Sequence, residues 1–309
     1  MDLPADRALR WIVSTYAGLL AEHGSALRGS ALVQPTGEYF PDEFLADPPS
    51  VMRLLRRTMG YAPLAEDLGV ELAFIAPEGD HAGGCGSLAC GSGGGGGGAQ
   101  LATVAEIEDG YRVFVAATDV GNPDVLAASL ARATGSLVLH EAGEEDADDP
   151  AVAEIAAVAC GLGVLVASGS SVWAKGCGGL RMAQATVLSV EEASVALALF
   201  CAVHDVKPSA ARAHLGATQR DAFDHALAWT ESNPYVVDSL RDRPAVLEGG
   251  LFTLEPVRGM LGRWLHKRKL DRELRSPDAA PSSPEPMSDD KRRRLEEARA
   301  LVDEVLGGE

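Results

Sequence analysis

The amino-acid sequence predicts an α+β fold that is predominantly helical, with a small antiparallel sheet in the N-terminal half. Two observations lead to this prediction. Apolar residues recur at three- and four-residue steps through most of the chain, and three short runs in its first half have the length and the turn-forming borders of strands. With 309 residues, 46% of them hydrophobic, the chain is long enough to bury a large core without disulfides or structural metal ions.

The N-terminal half contains both kinds of pattern. Residues 5–23 place apolar side chains on one face of a helix, and residues 49–59 predict a second helix. Asp109 and Gly110 form a strong hairpin signal between the second and third predicted strands, so we expect these strands to pair in an antiparallel sheet. The three predicted strands are residues 70–75, 101–107 and 112–116.

Residues 79–100 are predicted to be a flexible glycine-rich loop. The unbroken run Gly93–Gly98 loses too much backbone entropy to pack as a helix or strand. A phosphate-binding loop needs glycines at fixed spacing with a lysine or an acidic partner, which this run lacks. Cys85 and Cys90 have four residues between them, whereas zinc knuckles usually have two residues between their cysteines. We therefore predict neither a nucleotide nor a zinc ion in this loop.

The second half of the sequence predicts a series of helices. Asn122 is a helix N-cap signal, and Ser189 with Glu192 forms a capping box at the start of another helix. Residues 151–167 are almost entirely apolar and predict one continuous buried helix. Further helices are expected over residues 208–229 and, as one or two elements, over residues 234–270.

We predict a single domain over residues 1–270, followed by a linker and a terminal helix. Residues 271–288 are rich in proline and serine, which prevents a continuous helix. Residues 289–309 carry one apolar stripe and predict an amphipathic helix. Such a helix is a candidate docking element for a protein partner.

Charge and cysteine usage restrict the classes of partner and compartment. The formal net charge of −18 disfavours nucleic acids and anionic membranes, although the run Lys291–Arg294 is a local basic exception. We find no signal segment and no apolar run that we expect to span a bilayer. The five cysteines lack the paired spacing of a secreted scaffold. We therefore expect a cytoplasmic protein without disulfides.

Several short segments, in a consistent order between residues 8 and 230, carry a family resemblance. They are WIVSTYA (11–17), VQPTGEYFPDEF (33–44), LAASLA (126–131), IAAVACGLGV (155–164), LSVEEA (188–193) and ALALF (196–200). Together they resemble an uncharacterised bacterial family whose members carry a zincin-type H-E-x-x-H helix. The glycine-rich loop and the chain after about residue 245 lie outside this resemblance. It implies a zincin-like helical core.

The resemblance also implies where a metal site would lie, and this chain departs from the pattern there. The family's helix supplies His, Glu and His at positions where this chain has Arg132, Ala133 and Ser136. Residues four apart share a helix face, so two imidazoles can bind one zinc ion while the glutamate acts as general base. Arginine cannot deprotonate to become a ligand, and a serine hydroxyl is a poor one. We therefore predict that the metal-binding motif has degenerated.

The family's downstream acidic residue aligns with Glu154, so a carboxylate is retained there. We hypothesise that Arg132 pairs with Glu154, so that an ion pair replaces a metal bridge between two helices. The simpler alternative is that both side chains point to solvent or pair elsewhere, because surface ion pairs contribute little.

Three other arrangements in the sequence resemble catalytic sites. His140 and Glu144 spell H-E-x-x-E, but Gly143 and the acidic run that follows are more typical of a helix end and a solvated loop. Ser168–Ser171 lacks the glycines of a nucleophile turn, and Cys201 with His204 is more typical of core packing. We predict no catalytic, cofactor-binding or metal-binding residues.

The leading prediction is a non-catalytic zincin-like pseudoenzyme with a binding or structural role. A first alternative is a metal-dependent hydrolase that uses His140 with Glu144 or Glu154 as ligands. A second alternative is an acidic regulatory or assembly partner of another protein.

Overall fold

The computed structural model describes residues 3–75, 103–176 and 179–257. The predicted glycine-rich loop, the linker and the terminal amphipathic helix lie outside these residues, as do Cys85, Cys90, Cys177 and the basic run Lys291–Arg294. The fold is α+β and predominantly helical, as predicted. Its helices are α1 (Asp6–Leu27), α2 (Pro48–Met59), α3 (Pro123–Ala142), α4 (Pro150–Ala157), α5 (Gly163–Gly169), α6 (Val190–Val203), α7 (Pro208–Arg212), α8 (Ala217–Ser232) and α9 (Pro234–Asp242).

A mixed three-stranded sheet lies in the N-terminal half. Its strands are β1 (Val70–Ile75), β2 (Thr103–Ile107) and β3 (Gly110–Ala116), in the order β1-β3-β2. The predicted hairpin of β2 and β3 is antiparallel, but β1 pairs with β3 in parallel. The sheet is thus not wholly antiparallel. β3, whose side chains alternate between buried and half-buried, is the central strand. The hairpin signal predicts that β2 pairs with β3, but it does not specify which of these two strands pairs with β1.

Helix α3 is the central helix of the fold. The Asn122 side chain accepts a hydrogen bond from the Val125 amide, and Gly143 ends the helix with a φ of 74°, as the sequence predicted. Between these ends nearly every side chain is buried, so α3 has no solvent face. At Gly135 the helix meets α4 closely, because a Cβ there would lie 2.0 Å from the Ala153 carbonyl oxygen.

The prediction of one continuous helix over residues 151–167 was wrong. The chain forms α4 and α5 with a break between them, where Gly161 has a φ of 93° that side-chain-bearing residues rarely adopt. The Gly161 carbonyl accepts a hydrogen bond from the Val33 amide at 2.9 Å. The break between α4 and α5 therefore binds the segment that follows α1 through this hydrogen bond. In the same way, the helix predicted over residues 208–229 is interrupted between α7 and α8.

One segment of the described chain, Pro150–Gly169, is long and apolar enough to cross a membrane by length and composition, with a mean hydropathy of 2.1. This corrects the expectation that no such run exists. The segment is interrupted at Gly161, and 83% of its apolar 18-residue stretch is buried inside the fold. That burial is typical of a core helix in a soluble protein.

Two apolar clusters fill the interior. The larger one joins α1, α4, α5, α6 and α8, and the smaller one lies between α2, α3 and the sheet. The capping box of Ser189 and Glu192 begins α6 as predicted. A second hairpin, of β4 (Val172–Gly176) and β5 (Gly179–Ala183), was not predicted. It precedes the segment that leads into α6.

Candidate site at the buried ion pair

Arg132 and Glu154 form an ion pair inside the protein. Arg132 Nη1 donates to Glu154 Oε1 at 2.8 Å, and the two side chains expose 1% and 0% of their surface. Arg132 lies on α3 and Glu154 on α4, so the pair joins the two helices. The predicted pairing is therefore confirmed, and the alternative that both residues face solvent was wrong.

The pair also holds the segment between β5 and α6. The Glu154 carboxylate accepts hydrogen bonds from the amides of Val187, at 2.9 and 3.1 Å to its two oxygens, and Leu188, at 2.9 Å. Arg132 Nη1 also donates to the Ala185 carbonyl at 3.0 Å. Three separate parts of the chain therefore meet at one buried contact.

Burial raises the pKa of Glu154, while Arg132 and the backbone donors act in the opposite direction. The hydrogen-bond geometry requires the anion, because every group bonded to the carboxylate is an N–H donor and a protonated carboxyl would direct an O–H at one of them. Arginine stays protonated under all ordinary conditions. The contact is therefore a charged pair.

A second carboxylate, Asp119, lies close enough to Arg132 to interact with its charge. Asp119 is buried and accepts a hydrogen bond from Ser129 Oγ at 3.0 Å. Burial raises the pKa of Asp119, and hydrogen bonding to Ser129 and the Arg132 charge counteract this. Arg132 Nε and Nη2 have no hydrogen-bond partner within the described residues. Electrostatic attraction from Asp119 compensates part of that deficit.

The other two motif positions have different surroundings. Ala133 is fully buried in the smaller apolar cluster beneath the sheet. Ser136 Oγ donates to the Ala147 carbonyl at 2.9 Å and so anchors the acidic loop between α3 and α4. A methyl group cannot act as a general base, and this hydroxyl is already used in a backbone contact. The three positions therefore contribute an ion pair, core packing and a loop anchor.

His140 and Glu144 face different partners. His140 lies near the sheet, with its ring 5.7 Å from that of Tyr111 and Nε2 3.5 Å from Asp148 Oδ1. Glu144 Oε1 instead lies 3.1 Å from His23 Nε2 on α1. Glu154 is held by Arg132. Each of the three residues proposed as alternative metal ligands thus has a separate set of contacts.

Glu144 does belong to a group with metal-ligating chemistry. Glu22, His23 and Glu144 have potential ligand atoms that all lie within 4.8 Å of one another, the one such trio in the part of the chain that the structure describes. A hydrogen bond with Glu144 raises the pKa of Glu22, as expected when two carboxylates share a proton. One imidazole and two carboxylates suit zinc with an open coordination position.

The remaining polar candidates have structural roles. Ser170 Oγ donates to the Ala167 carbonyl at 2.7 Å and continues the end of α5. Cys201 is buried, and burial raises its thiol pKa to about 12, so it is not a thiolate nucleophile. His204 stacks on Phe200 with ring centroids 4.3 Å apart. The prediction of core packing for Cys201 is confirmed.

Sequence reasoning missed Asp119 and the segment from Ala185 to Leu188. Asp119 lies outside any motif, and no sequence signal identifies it. The segment had an indirect signal, because two short runs flank the glycines at 176, 178 and 179, as in a hairpin. A hairpin there brings the residues after β5 back to the end of α5, where the Ala185 amide donates to the Gly169 carbonyl.

Comparisons of the chain with models of protein families, with curated proteins and with solved structures give no match. The zincin-like resemblance therefore stays a prediction from the sequence segments that carry it.

Proposed function

We propose that this chain is a non-catalytic protein that retains a zincin-like scaffold for a binding or structural role. The Arg132–Glu154 contact is the single observation that carries the proposal. The resemblance places a metal ligand at position 132 and a carboxylate ligand at position 154. A 2.8 Å ion pair between those two positions supports the idea that the guanidinium of Arg132 has replaced a bound metal cation.

The charge arithmetic supports the same proposal. A buried carboxylate needs a compensating positive charge, which a zinc ion supplies in a metallopeptidase and the guanidinium supplies here. Arg132 is part of the chain and cannot bind or activate water as a metal ion does. Helices α3 and α4 thereby remain bridged while the chemistry of hydrolysis is lost.

Reconstruction of the family motif tests this proposal. We expect the triple variant Arg132→His, Ala133→Glu, Ser136→His to retain zinc after gel filtration, measured by inductively coupled plasma mass spectrometry. Wild-type protein should carry far less than one zinc per chain. The same triple variant with Glu154→Ala should lose the metal. Circular dichroism establishes that each variant is folded.

A folded triple variant that takes up no zinc would show that the three positions lack zincin geometry. Near-stoichiometric zinc in the wild-type protein that is lost on His140→Ala would likewise contradict the proposal.

A metal-dependent hydrolase remains the second candidate, and one observation favours it. Glu144, one of the ligands named for that candidate, lies with His23 and Glu22 in the trio described above. Zinc in the wild-type protein that is lost on His23→Ala but not on His140→Ala would assign the metal to the trio. Hydrolysis of peptide or ester substrates that depends on this zinc would then establish the second candidate.

The proposed binding role includes a protein partner in the cytoplasm. The net charge of −18 favours a basic partner, and residues 289–309 are the proposed docking helix. Nucleic acid is disfavoured by the same charge. Pull-down from native lysate with the full chain and with a chain lacking residues 276–309 tests this role. Loss of captured proteins on truncation is the expected result, and an unchanged set would argue against docking through the terminal helix.

A further inference from the structure

A cavity of about 430 Å³ lies away from the ion pair. Five parts of the chain line it: the segment at residues 35–44, α2, the first two turns of α3, α5, and His214 in the loop between α7 and α8. Neither Arg132 nor Glu154 lines it. Its volume falls within the roughly 300–1,000 Å³ of small-molecule sites in proteins.

The inner wall of the cavity is apolar. Phe40, Leu54, Leu126 and Leu165 line it, and Ala127 is the small residue among them. Leu126 is almost completely buried, so this wall belongs to the core rather than to a mobile surface. Such a wall suits a hydrocarbon or aromatic body.

The segment over the cavity is held in place by specific contacts. The ring of Phe40 packs edge-on against Tyr61 at 6.2 Å, and Tyr61 Oη donates to the Tyr39 carbonyl at 2.6 Å. The Leu45 amide donates to Ser50 Oγ at 3.3 Å. Contacts within the chain therefore hold this wall of the cavity in place, which reduces the entropy that binding must cost.

The rim of the cavity is acidic. Asp42, Glu43 and Asp124 line it together with a single guanidinium, Arg57, whose Nη2 donates to Asp42 at 2.9 Å. Glu43 and Asp124 form no ion pair within the described residues. The N-terminus of α3 adds about half a positive charge beside Asp124. Three carboxylates outweigh these positive groups, so the rim attracts cations.

We propose that this cavity binds a small molecule with an apolar body and a protonated amine, with the body against the Leu126 wall and the ammonium between Glu43 and Asp124. The aromatic ring of Phe44, also at the cavity, offers a face for the same cation. This inference goes beyond the proposed function and does not depend on it, because it requires neither the zincin resemblance nor the fate of the metal motif.

Three probes of similar shape and different charge test the proposal: 2-phenylethylamine, 2-phenylethanol and 3-phenylpropanoate. Binding to the full chain is measured by isothermal titration calorimetry and by ligand-observed NMR at low ionic strength. We expect the amine to bind about tenfold more tightly than the alcohol, and the carboxylate to bind more weakly than the alcohol, because each charge interacts with the rim. Added salt should reduce the differences.

Two variants locate the site. The double variant Glu43→Gln, Asp124→Asn should bind the amine and the alcohol equally, while its affinity for the alcohol stays near that of wild type. The matched control Glu145→Gln, Asp146→Asn removes the same charge from the exposed loop after α3 and should keep the preference for the amine. Ala127→Leu fills the cavity from a good helix position and should remove binding of all three probes.

Equal affinity of the wild type for the three probes would overturn the assignment of an amine. Undiminished binding to the folded Ala127→Leu variant would overturn the assignment of the cavity. Neither result would bear on the metal measurements that test the proposed function, so the two proposals fail separately.

Discussion

Arg132 on α3 and Glu154 on α4 are joined by a 2.8 Å ion pair that solvent does not reach, and the same two side chains bind the backbone at Ala185, Val187 and Leu188. The pair thus connects two helices to the segment that precedes α6. Replacement of one partner leaves the other charge buried and uncompensated, which is the costly case for a buried ion pair.

We expect Glu154→Gln to lower the free energy of unfolding by about 3–5 kcal/mol, the range for breaking a buried pair on one side. Arg132→Met should cost a similar amount. The double variant should lose less unfolding free energy than the sum of the two single variants, because it leaves neither charge of the pair buried without its partner. Urea denaturation followed by circular dichroism measures all three variants.

Asp224→Asn is the control for this series, since Asp224 pairs with Arg212 in a bidentate contact on the surface. Its effect should be much smaller, because solvent screens exposed pairs. Strict additivity of the two single variants at the buried pair would contradict the direct coupling inferred from the structure.

The close approach of α3 to α4 at Gly135 gives a second prediction. A Cβ at Gly135 would meet the Ala153 carbonyl oxygen at 2.0 Å, so Gly135→Ala should separate the helices and destabilise the fold by about 1–3 kcal/mol. Gly18→Ala in α1 is the matched control, because it is the same substitution in a helix, and no atom outside the nearby backbone of α1 lies within 4 Å of the new Cβ. It should stabilise by about 0.5–1 kcal/mol through helix propensity. Thermal and urea denaturation compare the two, and equal effects would contradict the close packing.

The elements that the sequence predicted well have local causes. The caps at Asn122, Gly143 and Ser189 are satisfied by contacts within a few residues, and the hairpin at Asp109 depends on a short turn. Such contacts are encoded in neighbouring positions. For this reason the starts of α3 and α6 and the end of α3 were predicted correctly.

The elements that the sequence did not predict depend on distant parts of the chain. Gly161 breaks an apolar helix pattern because its carbonyl binds the Val33 amide, more than a hundred residues earlier. Likewise, the parallel pairing of β1 with β3 places Val70 opposite Tyr111, two positions that are far apart in the sequence. At the candidate site, the Arg132–Glu154 pair was predicted from the sequence resemblance. Asp119 was not predicted, because no motif marks it and only the folded chain shows its contact with Ser129.

The two described cysteines give a third prediction. Cys160 and Cys201 are free and buried, and burial raises the thiol pKa of each to about 12. Because the thiolate is the reactive form, native protein treated with iodoacetamide near neutral pH should show no modification at either residue. Both should react fully in about 6 M guanidinium chloride, which unfolds most domains. Peptide mapping by mass spectrometry measures each site separately, and labelling of either one in the native protein would contradict its burial.

The environment of His204 gives a prediction about pH. Burial lowers the pKa of His204, with the nearby charge of Arg241 acting in the same direction, while a backbone contact at Arg28 and the charge of Asp205 oppose it. A lowered pKa means that the unfolded chain takes up the proton first as pH falls below about 6.5. Its contribution to stability is therefore complete above that pH and is lost during acidification toward the folded-state pKa.

His204→Phe retains a ring to stack on Phe200 and removes the proton-binding site. We expect the loss of unfolding free energy between about pH 7.5 and pH 5.5 to be smaller in this variant than in wild type, because the remaining titrating groups are common to both proteins. His225→Phe, at a side chain that is 45% exposed, controls for the loss of an imidazole as such. Urea titrations at several pH values measure the difference. If wild type and His204→Phe lose equal stability on acidification, burial does not keep this imidazole neutral, and its stacking on Phe200 must tolerate a charged ring.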